Sequence, residues 1–101
     1  MSTLPPPVLK VEVYSTGPRC MKCKSTMKTM DRQGITPAYL DLSAGAELPD
    51  DVQALNVRTA PIVIVRDAED GTIVDHWEDH RPDLIKALAQ DLQAIEAIPA
   101  A

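Results

Sequence analysis

Positive charge, cysteine and long apolar runs are all scarce in this chain. Ten Lys and Arg face 15 Asp and Glu over 101 residues, a formal net charge of -5, which argues against a nucleic-acid binder. No apolar run is long enough to span a bilayer, and no basic-then-apolar leader opens the chain. The expected location is therefore the cytoplasm, with neither membrane nor nucleic acid as partner. Two cysteines are too few for a disulfide scaffold; as a local pair in a reducing compartment they suggest catalysis or half of a metal site. The length allows one domain with a modest core. Hydrophobic residues at 45% and charged residues at 25% keep it in the globular range.

What the chain does have is concentrated between Val8 and Cys23. Val8, Leu9, Val11, Val13 and Tyr14 predict a short central strand ending in Ser15-Thr16-Gly17-Pro18, followed by two cysteines, two residues apart, at the start of a helix. Cys23, Met27 and Met30 follow i, i+4, i+7 spacing and are expected to face the sheet, with Lys24 and Lys28 outward and Gly34 as the helix stop. Between Arg19 and Arg32 lie five cations and one acid, Asp31, while the remainder is strongly acidic. That bias marks either a solvated helix face or one that steers an acidic partner towards the cysteines.

The following segments predict a strand over 35–42, parallel to the first, and a polar connection over 43–49. A short helix over 50–55 buries Val52 and Leu55 and ends at Asn56. Thr59-Ala60-Pro61 introduces the densest strand signal, Ile62-Val63-Ile64-Val65. Residues 66–71 read as a hairpin turn and 72–76 as its antiparallel return. From Pro82, the residues Leu84, Ile85, Leu88, Leu92 and Ile95 mark an amphipathic helix, with Asp83 placed where the dipole favours an acid, fraying before Pro99. The order β-α-β-α-β-β-α implies an α/β domain over 8–98. It has one four-stranded mixed sheet with helices on both faces, the minimal thioredoxin/glutaredoxin-like arrangement. A loose proline-rich arm (1–7) and a short tail (99–101) flank it.

At a helix N-terminus, unpaired N–H groups and the macrodipole favour a thiolate on Cys20, and Arg19 and Lys22 add positive charge. Cys20 is expected to attack a partner disulfide and Cys23, one turn in, to resolve the mixed disulfide. The competing reading is zinc. His76 and His80 complete a two-cysteine, two-histidine set, but 52 residues separate Cys23 from His76 where a finger needs about a dozen. Pro61 strengthens the redox reading, because a proline directly before a central strand removes a ladder donor. A cis Ala60–Pro61 bond in this architecture sets the Ala60 backbone beside the cysteines to dock an extended segment; the alternative is a trans proline that only starts the strand. Trp77, the only tryptophan, reads as a core lid over the last helix or as a recognition face beside the cysteines, two compatible roles. His76 and His80 read chiefly as polar surface.

The sequence resembles the NrdH-redoxin family, glutaredoxin-like proteins that behave as thioredoxins, over roughly 8–88. The resemblance rests on Val13-Tyr14-Ser15 before Cys20-Met21-Lys22-Cys23, on Gln33-Gly34-Ile35 and on Thr59-Ala60-Pro61. Its most discriminating part is His76-Trp77 followed by Arg81-Pro82-Asp83, where a generic glutaredoxin has a Gly-Gly stretch that holds glutathione. The resemblance implies that Cys20 attacks, Cys23 resolves and Pro61 is the cis proline, with Trp77, Arg81, Pro82 and Asp83 supporting the last helix and the binding surface. It implies a monomeric electron donor to the large subunit of a class Ib ribonucleotide reductase, re-reduced by NADPH-dependent thioredoxin reductase, with no cofactor and no metal. Two departures stand out. The family commonly has Trp-Ser-Gly-Phe-Arg-Pro where this chain has Trp77-Glu78-Asp79-His80-Arg81-Pro82, and Lys22 stands where Gln is common. A glutathione- or mycothiol-dependent glutaredoxin and a metal-carrying binding module remain as alternatives.

Overall fold

Alternating β-branched residues build the sheet. Val11 and Val13 of β1 (Leu9–Ser15) and Val63 and Val65 of β3 (Ile62–Asp67) point to one face, while Tyr14, Ile62 and Ile64 point to the other. Both faces are covered, so these two strands are central and buried along most of their length. This is the arrangement in the computed structural model, which describes residues 9–97 and side chains through residue 92. The arm at 1–7, Val8, the Ile95 side chain and the tail at 99–101 lie outside the described residues.

The strand order is β2-β1-β3-β4. β2 (Ala38–Asp41) runs parallel to β1, β3 is antiparallel to β1, and β4 (Ile73–Glu78) is antiparallel to β3. Helices α1 (Met21–Arg32) and α3 (Pro82–Ala97) cover one face, burying Met30, Ile85, Leu88 and Trp77 against the valines. The short α2 (Asp50–Gln53) covers the other through Val52, packed with Tyr14, Ile62 and Ile64. The β-α-β-α-β-β-α order and the mixed four-stranded sheet of the thioredoxin/glutaredoxin fold are as the sequence predicts.

Gly34 stops α1 as its composition suggests. With φ of 78°, it donates its N–H to Asp31 O at 3.1 Å, and Ile35 N–H reaches back to Met30 O at 2.9 Å. This is a Schellman closure with the Met30–Ile35 apolar contact inside the core. It also explains why β2 is shorter than the predicted 35–42. Ile35 N–H is spent on the helix, Pro37 has none, and Leu42 opens a 3-10 turn (Leu42–Ala44) capped by Asp41.

At its far end the hairpin differs from the sequence reading. β3 continues to Asp67 and β4 runs to Glu78, so Arg66 belongs to a strand rather than to the turn. Arg66 is buried. Its Nε donates to Glu12 Oε1 at 2.7 Å, its two Nη groups to the Asp51 carboxylate, and Nη1 also to Gly71 O at 2.9 Å. One guanidinium thus joins β1, α2 and the hairpin turn. Strand β4 lies at a sheet edge, where Val74, Asp75 and His76 are exposed, so apolar alternation marks its length only weakly.

Candidate active site

The chain turns from β1 into α1 through a set of local hydrogen bonds. Buried Ser15 Oγ accepts from Gly17 N–H at 3.0 Å and from Tyr39 Oη at 2.9 Å, and Gly17 O accepts from Cys20 N–H at 3.1 Å. Gly17 has φ of +121°, and a Cβ there would lie 2.7 Å from Ser43 Oγ. Glycine is therefore required on both counts.

Cys20 caps α1. Its backbone is extended, and its Sγ accepts from Cys23 N–H at 3.2 Å, the place an Asp or Ser oxygen usually fills. The sulfur therefore sits at the positive end of the helix dipole, where negative charge is stabilised. Cys23 is only 1% exposed, because the same helical face carries Thr26 and Met30 into the interior. The two are joined as a disulfide with Cα atoms 5.2 Å apart. One sulfur is reachable and one is shielded. Arg19 is exposed, and Met21, between the cysteines, is 69% exposed.

The Ala60–Pro61 peptide bond is cis, and Pro61 is buried at the entry to β3. The loop before it is strapped to the end of β4. Glu78 Oε1 accepts from Arg58 N–H and from Thr59 N–H, and Asp79 N–H donates to Pro61 O at 2.9 Å. These two amides, Arg58 first, hold the Glu78 carboxyl below the usual range. The next two residues reach the opposite way, to the cysteine helix. Asp79 pairs with Lys22 Nζ at 3.1 Å, and His80 Nδ1 lies 3.0 Å from Oγ1 of fully buried Thr26. The His80 amide, and then Lys22, hold the Asp79 carboxyl low as well.

The turn at 78–80 therefore joins the cysteine helix to the cis-proline loop. In the sequence its two acids and histidine stand out only as a departure from the Ser-Gly-Phe common in the family the chain resembles. Asp79 stands where that glycine is common and has a left-handed backbone, φ of 72°, a region that Asp tolerates better than most residues. Asp79→Gly is expected to change stability by less than about 1 kcal/mol, because relief at φ offsets loss of an exposed ion pair. Asp79→Val is expected to cost about 1–3 kcal/mol, since a β-branched residue fits φ > 0 poorly. Thermal melts of the two variants compare these outcomes.

The remaining candidates fall elsewhere. Trp77 is a core residue, 6% exposed, opposite Val63, with its Nε1 unpartnered. Arg81 and Asp83 are exposed and pair with each other at 2.9 Å, and Arg81 O accepts the N–H groups of Leu84 and Ile85 at the start of α3. Pro82 takes the first helical position. Among the described residues, no three His, Cys, Asp or Glu side chains cluster to hold a metal, and no helix is long and apolar enough to cross a membrane.

A reachable and a buried cysteine, paired at a helix N-terminus on this fold, suggest a redox-active site. Comparison with known proteins agrees. A family profile described as Glutaredoxin matches residues 11–68, more than half the chain. The glutaredoxin-like protein NrdH-redoxin from Escherichia coli, whose activity profile is described as thioredoxin-like, superposes with a TM-score of 0.61 at 25% identity. The match covers 78% of this chain and 93% of that one. The oxidised thioredoxin from Plasmodium falciparum gives 0.60 at 16% identity, covering 83% and 80%. Mitochondrial thioredoxin 3 from Saccharomyces cerevisiae gives 0.59 at 16%, covering 82% and 77%. These last two share the fold. No curated protein matches the chain in sequence.

Proposed function

The chain belongs to the glutaredoxin family, and we propose that it is a dithiol–disulfide electron carrier that takes electrons from NADPH-dependent thioredoxin reductase and passes them to a class Ib ribonucleotide reductase. The observation that carries the redox part is Cys20 Sγ in the N-cap position of α1, with Cys23 buried one turn on. The Cys20 thiolate attacks one sulfur of a partner disulfide; that S–S bond breaks, and the other partner sulfur leaves as a thiolate and takes a proton. Cys23 loses its proton to solvent and attacks Cys20 Sγ, releasing the second partner thiolate. Two electrons reach the partner, and the carrier is left as the Cys20–Cys23 disulfide for its reductase.

Docking of the partner is assigned to the cis-proline loop, where the Ala60 backbone can pair with an extended segment, flanked by Thr59 and Pro61. Arg19, Met21 and Lys22 border the pair on the helix side. Trp77 on one side and Arg81, Pro82 and Asp83 on the other flank the 78–80 turn that braces this surface. Glu78 holds the docking loop in shape. Glu78→Ala leaves the Arg58 and Thr59 amides without their acceptor and is expected to raise KM for a protein disulfide about 5-fold, with little change in kcat. Glu78→Gln, which keeps an acceptor oxygen, is expected to recover most of that loss. A kcat and KM split on insulin disulfide checks both.

The choice of partners is supported by the likeness to NrdH-redoxin and by the lack of a Gly-Gly stretch after Trp77. A reducing cytoplasm is the compartment this chemistry needs. Family membership itself favours a second reading, turnover with glutathione or mycothiol. NADPH oxidation in a coupled assay with insulin disulfide decides between them, using thioredoxin reductase in one arm and glutathione or mycothiol recycling in two others. Rapid turnover only with thioredoxin reductase is expected. Turnover only with a small thiol makes the chain a glutaredoxin-type enzyme, and none in any arm removes the redox reading.

A further inference from the structure

The charges of this chain are sorted by position. Residues 19–32 hold five cations and one acid, whereas the rest holds five cations and fourteen acids. The ion pairs are just as uneven. Lys10, Lys22, Arg66 and Arg81 each have a carboxylate within 4.0 Å. Among the described residues, Arg19, Lys24, Lys28 and Arg32 have none, and Arg58 and Lys86 are the other two without one. Asp79 is thus matched by Lys22, and Glu78 keeps its charge but is directed at the Arg58 and Thr59 amides, which leaves the other cations of α1 without a carboxylate partner among the described residues.

Those cations lie in order. Lys24, Lys28 and Arg32 follow Cys20 at four-residue steps, so each adjoins the next and the line winds by about 40° per step along α1 away from the attacking sulfur. All three cations are exposed. An attacking thiolate repels an incoming anion, whereas this line of cations draws one in and lays it along the helix. From this, and resting on the disulfide-exchange reading above, we infer that the oxidised partner presents an acidic peptide segment adjoining its disulfide, and that the segment binds along Lys24, Lys28 and Arg32. The site then selects its partner by charge as well as by backbone pairing at Ala60. Lys22 takes no part in this recognition, since Asp79 holds it.

The test uses two synthetic peptides with the same internal disulfide, one flanked by Asp and Glu and the other by Lys, with the neutral hydroxyethyl disulfide as reference. The reduced protein is mixed with each at low and at high ionic strength. At low salt the acidic peptide is expected to react on the order of tenfold or more faster than the basic one. High salt is expected to erase the difference. The acidic-to-basic rate ratio is expected to fall in Lys24→Gln/Lys28→Gln and to invert in K24E/K28E. Equal rates at low salt, or an unaltered ratio in the charge-reversed variant, overturn the proposal. So does glutathione disulfide reacting as fast as the acidic peptide, which points to a small anion, or salt-sensitive self-association in sedimentation, which points to the chain's own acidic surface. Failure to reduce hydroxyethyl disulfide at all overturns the redox reading itself, so the two failures are distinguishable.

Discussion

Cys20→Ser is expected to abolish disulfide reduction, while Cys23→Ser is expected to stop it halfway. The two cysteines differ in environment rather than in chemistry. Cys20 Sγ is partly exposed and accepts the Cys23 N–H at the helix N-terminus; Cys23 is enclosed by the core side of α1. Removing the accessible sulfur removes the nucleophile, and turnover should fall by on the order of 10³-fold or more. Removing the buried one leaves the first attack intact but takes away the group that resolves it. The Cys23→Ser protein should therefore accumulate as a mixed disulfide through Cys20, visible by mass spectrometry as one equivalent of bound partner. A Cys23→Ser variant that turns over normally would show that resolution comes from an external thiol.

Arg66→Ala carries the largest expected loss of stability. Glu12 and Arg66 are both buried in central strands, and the guanidinium also holds Asp51 and the Gly71 carbonyl. Truncating Arg66 leaves the buried Glu12 carboxylate with only the Tyr14 hydroxyl at 3.3 Å and the exposed Lys10 Nζ at 3.7 Å, a defect of about 3 kcal/mol. That is a large part of what a domain of this size has to lose. Glu12→Leu combined with Arg66→Met removes both charges and should recover most of the stability, because Asp51 can return to water. The pair also sets part of the acid limb. A hydrogen bond from Arg66 holds the Asp51 carboxyl below its ordinary value. Its contribution is thus full above about pH 3.9 and is lost as pH falls through the lower folded value. The double variant should show a shallower acid decline in urea melts repeated across pH.

The sheet and its three helices were legible because periodicity reports burial, and both are dense in this chain. β1 and β3 are apolar on both sides, and α1 repeats its apolar residues at helical spacing between a capping cysteine and Gly34. The cysteine pair was legible for the same reason, since its spacing is one helical turn. What the sequence concealed were polar residues whose partners are remote. Arg66 looked like part of a turn because its acids come from β1 and α2. Trp77 looked ambiguous because its neighbours on an edge strand are polar, yet its own side of the strand faces the core. Glu78, Asp79 and His80 each bind a segment 19 to 57 residues away. No local pattern encodes such contacts; only the departure from Ser-Gly-Phe marked the place.

The order of reactivity of the two thiols tests the central claim most directly. The fully reduced protein is treated at neutral pH with limiting iodoacetamide, and the modification of each cysteine is followed by peptide mass spectrometry. Placement of one sulfur at the helix N-terminus and the other in the core predicts that Cys20 is alkylated on the order of tenfold or more faster than Cys23. Equal rates, or faster modification of Cys23, would contradict the assignment of Cys20 as the attacking group.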